Sequence, residues 1–234
     1  MTLPADNSPF WAVVPAAGTG RRFGADQPKQ FVRIGEQSVL AHTLQRLAAV
    51  PGLAGIVLVV ADLADAGDWS QLAVPVVAVR GGAERADSVM AGLYWLVAEQ
   101  GPDCWALVHD AARPGVRVAD VVTLMDYCAA HDLGAILALP ARDTIKTADA
   151  GAMVLETLPR DSIWLAQTPQ CFRADQLLRA LKEAAEQGLP VTDEASAMQA
   201  VGEPVQLIRG HWHNTKLTEP EDFPLIEWIL SQHD

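Results

Sequence analysis

Along the first 140 residues, short and almost wholly apolar runs alternate with longer stretches whose apolar residues recur at helical spacing. Phe10–Pro15, Ile56–Val60, Val74–Val79, Cys104–Val108 and Ala135–Leu139 are the runs. They show no polar alternation, so both faces of each must be covered, as in the interior strands of a parallel sheet. Between them, Ser38–Ala49 places Val39, Leu40, Leu44 and Leu47 on one face and stops at Pro51-Gly52. Glu84–Gln100 does the same with Val89, Leu93, Leu96 and Val97, and Gly101 follows its end. Val118–Ala130 is a third such stretch. Parallel strands need crossover connections, and helices are the usual ones. The fold class is therefore α/β: a Rossmann-like, mostly parallel sheet with helices on both faces. Helices at Ala174–Gln187, Asp193–Ala200 and Pro220–Leu230 and a strand at Pro204–Ile208 continue the pattern. The length of 234 residues reads as a single domain, 1–234.

One segment, about 142–159, breaks the alternation. It is polar, with strand-like stretches at Thr144–Thr147 and Met153–Leu158 around the turn signal Asp149-Ala150-Gly151. An isolated hairpin is marginal in water, so this one must pack on the body or on another chain.

Charge excludes whole classes of partner. Twenty-nine acids against 17 bases give a net charge of −12, the wrong sign for a broad nucleic-acid-binding face or a basic membrane-surface helix. No apolar run approaches the ~18 residues of a spanning helix, and the N-terminal residues lack the pattern of a signal peptide. The three cysteines, Cys104, Cys128 and Cys171, form neither a CxxC nor a paired pattern, so neither a zinc site nor a disulfide framework is indicated. A cytoplasmic protein is expected.

Three turns at predicted strand ends carry chemistry. Pro15-Ala16-Ala17-Gly18-Thr19-Gly20-Arg21-Arg22-Phe23, followed by Pro28-Lys29-Gln30, combines glycines with three cations. Backbone amides in such a loop can cradle an anion and the cations neutralise it, which suits a triphosphate. A dinucleotide turn is the competing reading, with Asp62 as the ribose acid, although the spacing is GxGxxxG and not GxGxxG. A plain structural turn is the third. The second turn is Gly81-Gly82-Ala83-Glu84-Arg85-Ala86-Asp87-Ser88. Its glycines open space for a flat ligand, and Ser88 can reach a base edge. The third, Val108-His109-Asp110-Ala111-Ala112-Arg113-Pro114, delivers a carboxylate at the ligand-binding edge of the sheet. Beside a triphosphate, Asp110 is a natural Mg2+ ligand. His109 fits a packed, hydrogen-bonded histidine better than a catalytic one. Late in the chain, Arg142 to Lys146, Arg160, Gln167-Thr168-Pro169-Gln170 and Asn214 to Thr218 put bases and hydroxyls in loops or the arm.

Together, PAAGTGRRFG with PKQ, GGAERADSV, VHDAARP, the pair DTIK and TPQ, TDEASA and NTKLTEPED resemble one family, in order and spacing, from about Phe10 to Leu230. It is the 2-C-methyl-D-erythritol 4-phosphate cytidylyltransferases of the non-mevalonate isoprenoid pathway. The resemblance implies a nucleotidyltransferase of the EC 2.7.7 class with CTP and a polyol phosphate as substrates. Pro15, Ala16, Ala17, Gly18, Thr19, Gly20, Arg22, Lys29, Gly81, Gly82, Arg85 and Ser88 would bind CTP. Asp110, Arg113, Thr144, Arg160 and Lys216 would bind the acceptor. Arg22, Lys29, Arg160 and Lys216 would be catalytic, and Asp110 would hold Mg2+ or another divalent cation. The arm would cross to a partner subunit in a homodimer, so that Thr144 and Arg160 serve the neighbour's site. Ala83 stands where the family often has an acidic residue. The competing activities are cytidylyl transfer to another sugar-alcohol phosphate such as ribitol 5-phosphate, an NAD-dependent oxidoreductase, and a non-catalytic nucleotide-binding regulator.

Overall fold

The computed structural model describes residues 8–18 and 28–232. Thr19, Gly20 and Arg22 lie outside the described residues. The elements run β1 (Phe10–Pro15), β2 (Arg33–Ile34), β3 (Gln37–Ser38), α1 (Val39–Ala48), β4 (Leu53–Val60), β5 (Val76–Arg80), α2 (Arg85–Gln100), β6 (Trp105–Val108), α3 (Val118–His131) and β7 (Ala135–Pro140). They continue with β8 (Ile145–Ala148), β9 (Val154–Leu158), β10 (Trp164–Arg173), α4 (Ala174–Glu186), α5 (Glu194–Ala200), β11 (Gln206–Arg209) and α6 (Phe223–Ser231). Seven strands form one sheet in the order β11-β7-β10-β6-β1-β4-β5. β1 pairs in parallel with both β4 and β6, β4 with β5, and β11 with β7.

Period-2 geometry explains the double cover. Along β1, Ala12 and Val14 join the cluster of Leu40, Leu44 and Leu47 of α1 with Leu124 and Met125 of α3. The intervening Trp11 and Val13 join Val89, Leu93 and Leu96 of α2 with Leu177 and Leu181 of α4. In β4, Ile56 and Leu58 go one way and Val57 and Val59 the other. A strand buried on both faces has no polar face to show, which is why its sequence reads as an unbroken apolar run.

β10 is the strand that the apolar pattern does not reveal. It lies antiparallel between β6 and β7, so the sheet is mixed. Gln167-Thr168-Pro169-Gln170 interrupts it, and proline in a central strand ordinarily argues against a strand. The resolution is a local irregularity. Ala166 pairs with Ala138 and Gln170 with Ile136, so four steps along β10 match two along β7. The ladder is broken where Pro169 sits, and the polar residues there are freed for other partners.

The expected arm is present as a separate two-stranded sheet of β8 and β9. Asp149 makes its turn, its Oδ1 accepting from the amides of Gly151 and Met153. Met153, Val154 and Leu155 are each more than 60% exposed, so these three apolar residues of the arm do not pack on the body of their own chain.

β1 lies where successive connections reverse direction across the sheet, β4 and β5 on one side and β6 on the other. In open α/β sheets such a reversal opens a crevice at the strands' carboxyl ends. Packing behind β1 is tight. A Cβ on Gly55 would meet Trp11 Cζ3 at 2.2 Å, and Trp11 is buried against Trp95 with ring centroids 5.3 Å apart. Gly55→Ala is expected to destabilise the fold by about 1–3 kcal/mol through overpacking. A urea-denaturation midpoint unchanged from wild type would contradict this.

Candidate active site

Two cavities open at the carboxyl ends of β1 and β6. The first is lined by Pro15, Ala16, Ala17, Gly18, Lys29 and Gln30, by Gly82 to Arg85 and Ser88, and by Asp110, Ala111, Ala112 and Lys216. The second is lined by Arg85, Asp110, Arg113, Gln167, Thr168, Gln170, Thr192, Asp193 and Lys216, with Ala166. Arg85, Asp110 and Lys216 face both, so they form the wall between the cavities.

Backbone hydrogen bonds extend the sheet into the first turn. The Ala16 amide donates to Val59 O at 2.7 Å, and is therefore spent within the fold instead of facing an anion. Gln30, nearly fully buried, donates its side-chain amide to Ala16 O at 2.7 Å and Gly18 O at 2.8 Å. It holds the carbonyls of the turn to one side. Gln30 was absent from the expected site residues, although it belongs to the PKQ motif. Both glycines permit internal close packing: a Cβ on Gly81 would meet Ser88 Oγ at 2.7 Å and Ala17 Cβ at 2.8 Å, and one on Gly82 would meet Asp87 Cβ at 2.3 Å. Of the two, Gly82 also lines the cavity. Asp62 accepts from the Ala64 amide at 3.0 Å and caps a short 3-10 turn, a structural role in place of a ribose acid.

Asp110 is the centre of the charge network. It is 6% exposed. Its Oδ1 accepts from Arg85 Nε at 3.1 Å. Its Oδ2 lies 2.7 Å from Lys216 Nζ and 3.5 Å from Arg113 Nε. Burial pushes the Asp110 carboxyl up, but Arg85, then Lys216 and Arg113, outweigh that and hold it well below the usual carboxylate range. Segments from across the chain deliver these partners. The Leu217 amide donates to Ala112 O at 2.8 Å, docking the segment that carries Lys216. Arg113 Nη1 donates to Asn214 O at 2.6 Å, and Asn214 Nδ2 to Thr168 O at 2.6 Å. Thr168 Oγ1 accepts from the Asp110 amide at 3.0 Å.

Both oxygens of Asp110, the expected Mg2+ ligand, face cations, so an ion bound there would compete with Arg85 and Lys216 for them. Thr144 and Arg160 line neither cavity. Both are exposed at the base of the arm, where Arg160 Nη1 donates to Arg142 O at 2.8 Å.

His109 is a packed histidine, as expected. It is fully buried, with Nδ1 3.0 Å from Thr168 Oγ1 and Nε2 3.1 Å from Arg113 O. The carbonyl can only accept, so Nε2 carries the proton and Nδ1 accepts from the threonine hydroxyl. Burial pushes His109 down to about 4 from 6.5. Between those values the unfolded chain binds a proton that the folded chain refuses, so stability is lost as pH falls from 6.5 towards 4. Full traversal of that window corresponds to about 3 kcal/mol. His109→Gln is expected to flatten that part of the stability–pH curve, read from denaturation midpoints. Parallel wild-type and variant curves would contradict the assignment.

The chain matches the family model of 2-C-methyl-D-erythritol 4-phosphate cytidylyltransferase over residues 10–232. It is 48% identical over 225 residues to the 2-C-methyl-D-erythritol 4-phosphate cytidylyltransferase of Stenotrophomonas maltophilia, covering 95% of this chain and 97% of that one. It is 46% identical over 227 residues to the enzyme of the same name from Vibrio parahaemolyticus, covering 94% and 95%. The crystal structure of the Francisella tularensis 2-C-methyl-D-erythritol 4-phosphate cytidylyltransferase superposes with a TM-score of 0.81 at 32% identity, covering 95% of this chain and all of that one. With both the fold and the sequence matched along nearly its whole length, the chain belongs to the 2-C-methyl-D-erythritol 4-phosphate cytidylyltransferase family.

Proposed function

We infer that this protein transfers a cytidylyl group from CTP to the phosphate of 2-C-methyl-D-erythritol 4-phosphate, giving 4-diphosphocytidyl-2-C-methyl-D-erythritol and pyrophosphate. Besides family membership, one observation carries the reading: two cavities share a wall of Arg85, Asp110 and Lys216. A two-substrate transfer needs that arrangement, with each substrate in its own chamber and the reacting atoms meeting at the partition.

The first cavity suits the nucleotide, since it contains the Pro15–Gly18 turn, Lys29, Gly82, Arg85 and Ser88. The second suits the acceptor, since it adds Arg113 to Asp110 and Lys216 and offers Gln167, Thr168 and Thr192 as polar partners for hydroxyls. An acceptor phosphate oxygen attacks the α-phosphorus, and the bond to pyrophosphate breaks. The acceptor phosphate is already largely ionised near neutral pH, so no general base is required. What the protein supplies is charge neutralisation and in-line positioning. Lys29 faces the first cavity and Lys216 both, so Lys29 neutralises charge on the nucleotide while Lys216 bridges the two phosphates. Arg22 joins Lys29 in this reading. Mg2+ or another divalent cation bound with CTP would add charge neutralisation at the phosphates, with Asp110, the carboxylate that faces both cavities, as the residue that would hold it.

The arm belongs to a homodimer in this reading. Its exposed Met153, Val154 and Leu155 would be covered by a partner subunit, and Thr144 and Arg160 would complete the neighbour's acceptor site. No helix among the described residues is long and apolar enough to cross a membrane. The three cysteines are free and buried, which suits the reducing cytoplasm where CTP is available.

Lys29→Ala is expected to lower kcat by orders of magnitude while the fold survives, measured as pyrophosphate release from CTP with each candidate acceptor. Release with ribitol 5-phosphate alone would overturn the acceptor assignment. The crossed arm makes a separate prediction. Arg160→Ala and Lys29→Ala proteins, each nearly inactive, should regain activity when unfolded together and refolded, because a mixed dimer contains one intact site. No regain would place Arg160 outside the neighbour's site.

A further inference from the structure

We propose that Glu194, which lines neither cavity, is a positioning residue for the transfer step, holding Arg85 so that Arg85 in turn holds Asp110. The inference rests on the cytidylyltransferase reading and extends it to a residue outside the substrate chambers.

Arg85 has two obligations. Its Nη1 and Nη2 donate to Glu194 Oε1 and Oε2 at 2.7 and 3.1 Å, and its Nε donates to Asp110 Oδ1 at 3.1 Å. A two-toothed grip on a carboxylate fixes the plane of a guanidinium, which a single contact does not. The grip matters because Arg85 faces both chambers and its side chain is 33% exposed. Without Glu194, an incoming phosphate could turn the guanidinium away from Asp110.

Glu194 itself is out of solvent, with its side chain 1% exposed. A carboxylate so buried is costly unless it is paired, and Arg85 is the partner. Its seat is built from β10. Gln170 Oε1 accepts from the Ala195 amide at 2.8 Å, and Gln170 Nε2 donates to Asp193 Oδ2 at 2.9 Å. This fixes the first turn of α5 against the irregular part of β10. The same short stretch supplies Thr168, which anchors the Asp110 backbone. The irregular middle of β10 therefore sets both carboxylates that Arg85 joins.

The charge count predicts a kinetic signature. Arg85, Arg113 and Lys216 against Asp110 and Glu194 leave one net positive charge at the partition. Removing the Glu194 charge makes the site more cationic, so anionic substrates are still attracted. What is lost is the orientation of Arg85 and Asp110. Glu194→Gln is expected to lower kcat by roughly tenfold or more, with KM for CTP and for the acceptor unchanged or lower. Glu194→Asp keeps the charge and should recover part of the kcat. In an Arg85→Gln background, Glu194→Gln should cost nothing further, because it acts only through Arg85.

Wild-type pyrophosphate release tests the activity itself, and the variant-to-wild-type ratio tests Glu194. Wild-type kcat per folded molecule in Glu194→Gln would overturn the proposal. So would a rise in KM of the same size as the fall in kcat/KM. If Glu194→Gln does not fold, the doubly neutral Arg85→Gln, Glu194→Gln protein decides. A kcat equal to that of Arg85→Gln alone upholds the proposal, and a lower one overturns it.

Discussion

The ion cluster around Asp110 is the constraint on which the rest of the site depends. A carboxylate with 6% exposure survives as an anion only if cations surround it. Arg85 comes from the start of α2, Arg113 from the turn after β6, and Lys216 from the segment before α6. Each of these elements must be in place before the cluster is neutralised, and the cluster rewards their docking. The Leu217 amide to Ala112 O and Thr43 Oγ1 to Ala111 O bonds fasten the same turn from two further directions. The turn after β6 is thus rigid because its charge requires partners, and a rigid turn is what a transfer reaction needs at the meeting point of two substrates.

Much of this was legible in the residue order. Strands buried on both faces announce themselves as apolar runs, so β1, β4 and β6 were readable to within a few residues, as were the helices that cover them. The residues just past the carboxyl ends of β1, β5 and β6, Gly18, Gly82 and Asp110, were readable as ligand-facing because of where an α/β sheet binds. β10 was not readable. It is a central strand whose polar, proline-containing middle looks like a loop, and its strand character comes from the neighbours β6 and β7. Gln30 and Gln170 lie within motifs that the sequence singles out, but their roles are not readable there, for a related reason. Their functions are hydrogen bonds to backbone far away in sequence, and nothing in a lone glutamine signals such a partner. Arg85 and Glu194 lie 109 positions apart. Locally each sits at a helix start, and the resemblance assigns a role to Arg85 alone, in CTP binding.

The arm shows the reverse case, where sequence foretold a difficulty better than its solution. A polar segment with a turn signal predicted a hairpin that could not stand alone, and the hairpin indeed leaves its apolar residues open to solvent on its own chain. Lys146 spans it, donating to Thr157 Oγ1 at 2.5 Å on the opposite strand. The cross-strand bond stiffens the hairpin without burying it. A stiff, exposed, apolar-tipped hairpin is suited to association in a way that a flexible loop is not, since less order is lost on binding.

The four lysines resolve the apparent conflict between an acidic protein and anionic substrates. Lys182 lies over the Tyr94 ring at 4.7 Å on the surface, and Lys146 belongs to the arm. Lys29 and Lys216 face the first cavity. At physiological ionic strength, charges more than about 8 Å away are largely screened. A phosphate inside the crevice therefore feels the partition, with Lys216 in it and Lys29 on the first cavity's wall, far more than the −12 of the whole chain. The overall charge discourages polyanions that would need a broad basic face, while a small phosphate compound that enters the crevice meets a net positive site. Placing the cations at the partition, with Glu194 limiting their excess to one, confines the attraction to where the two substrates must meet.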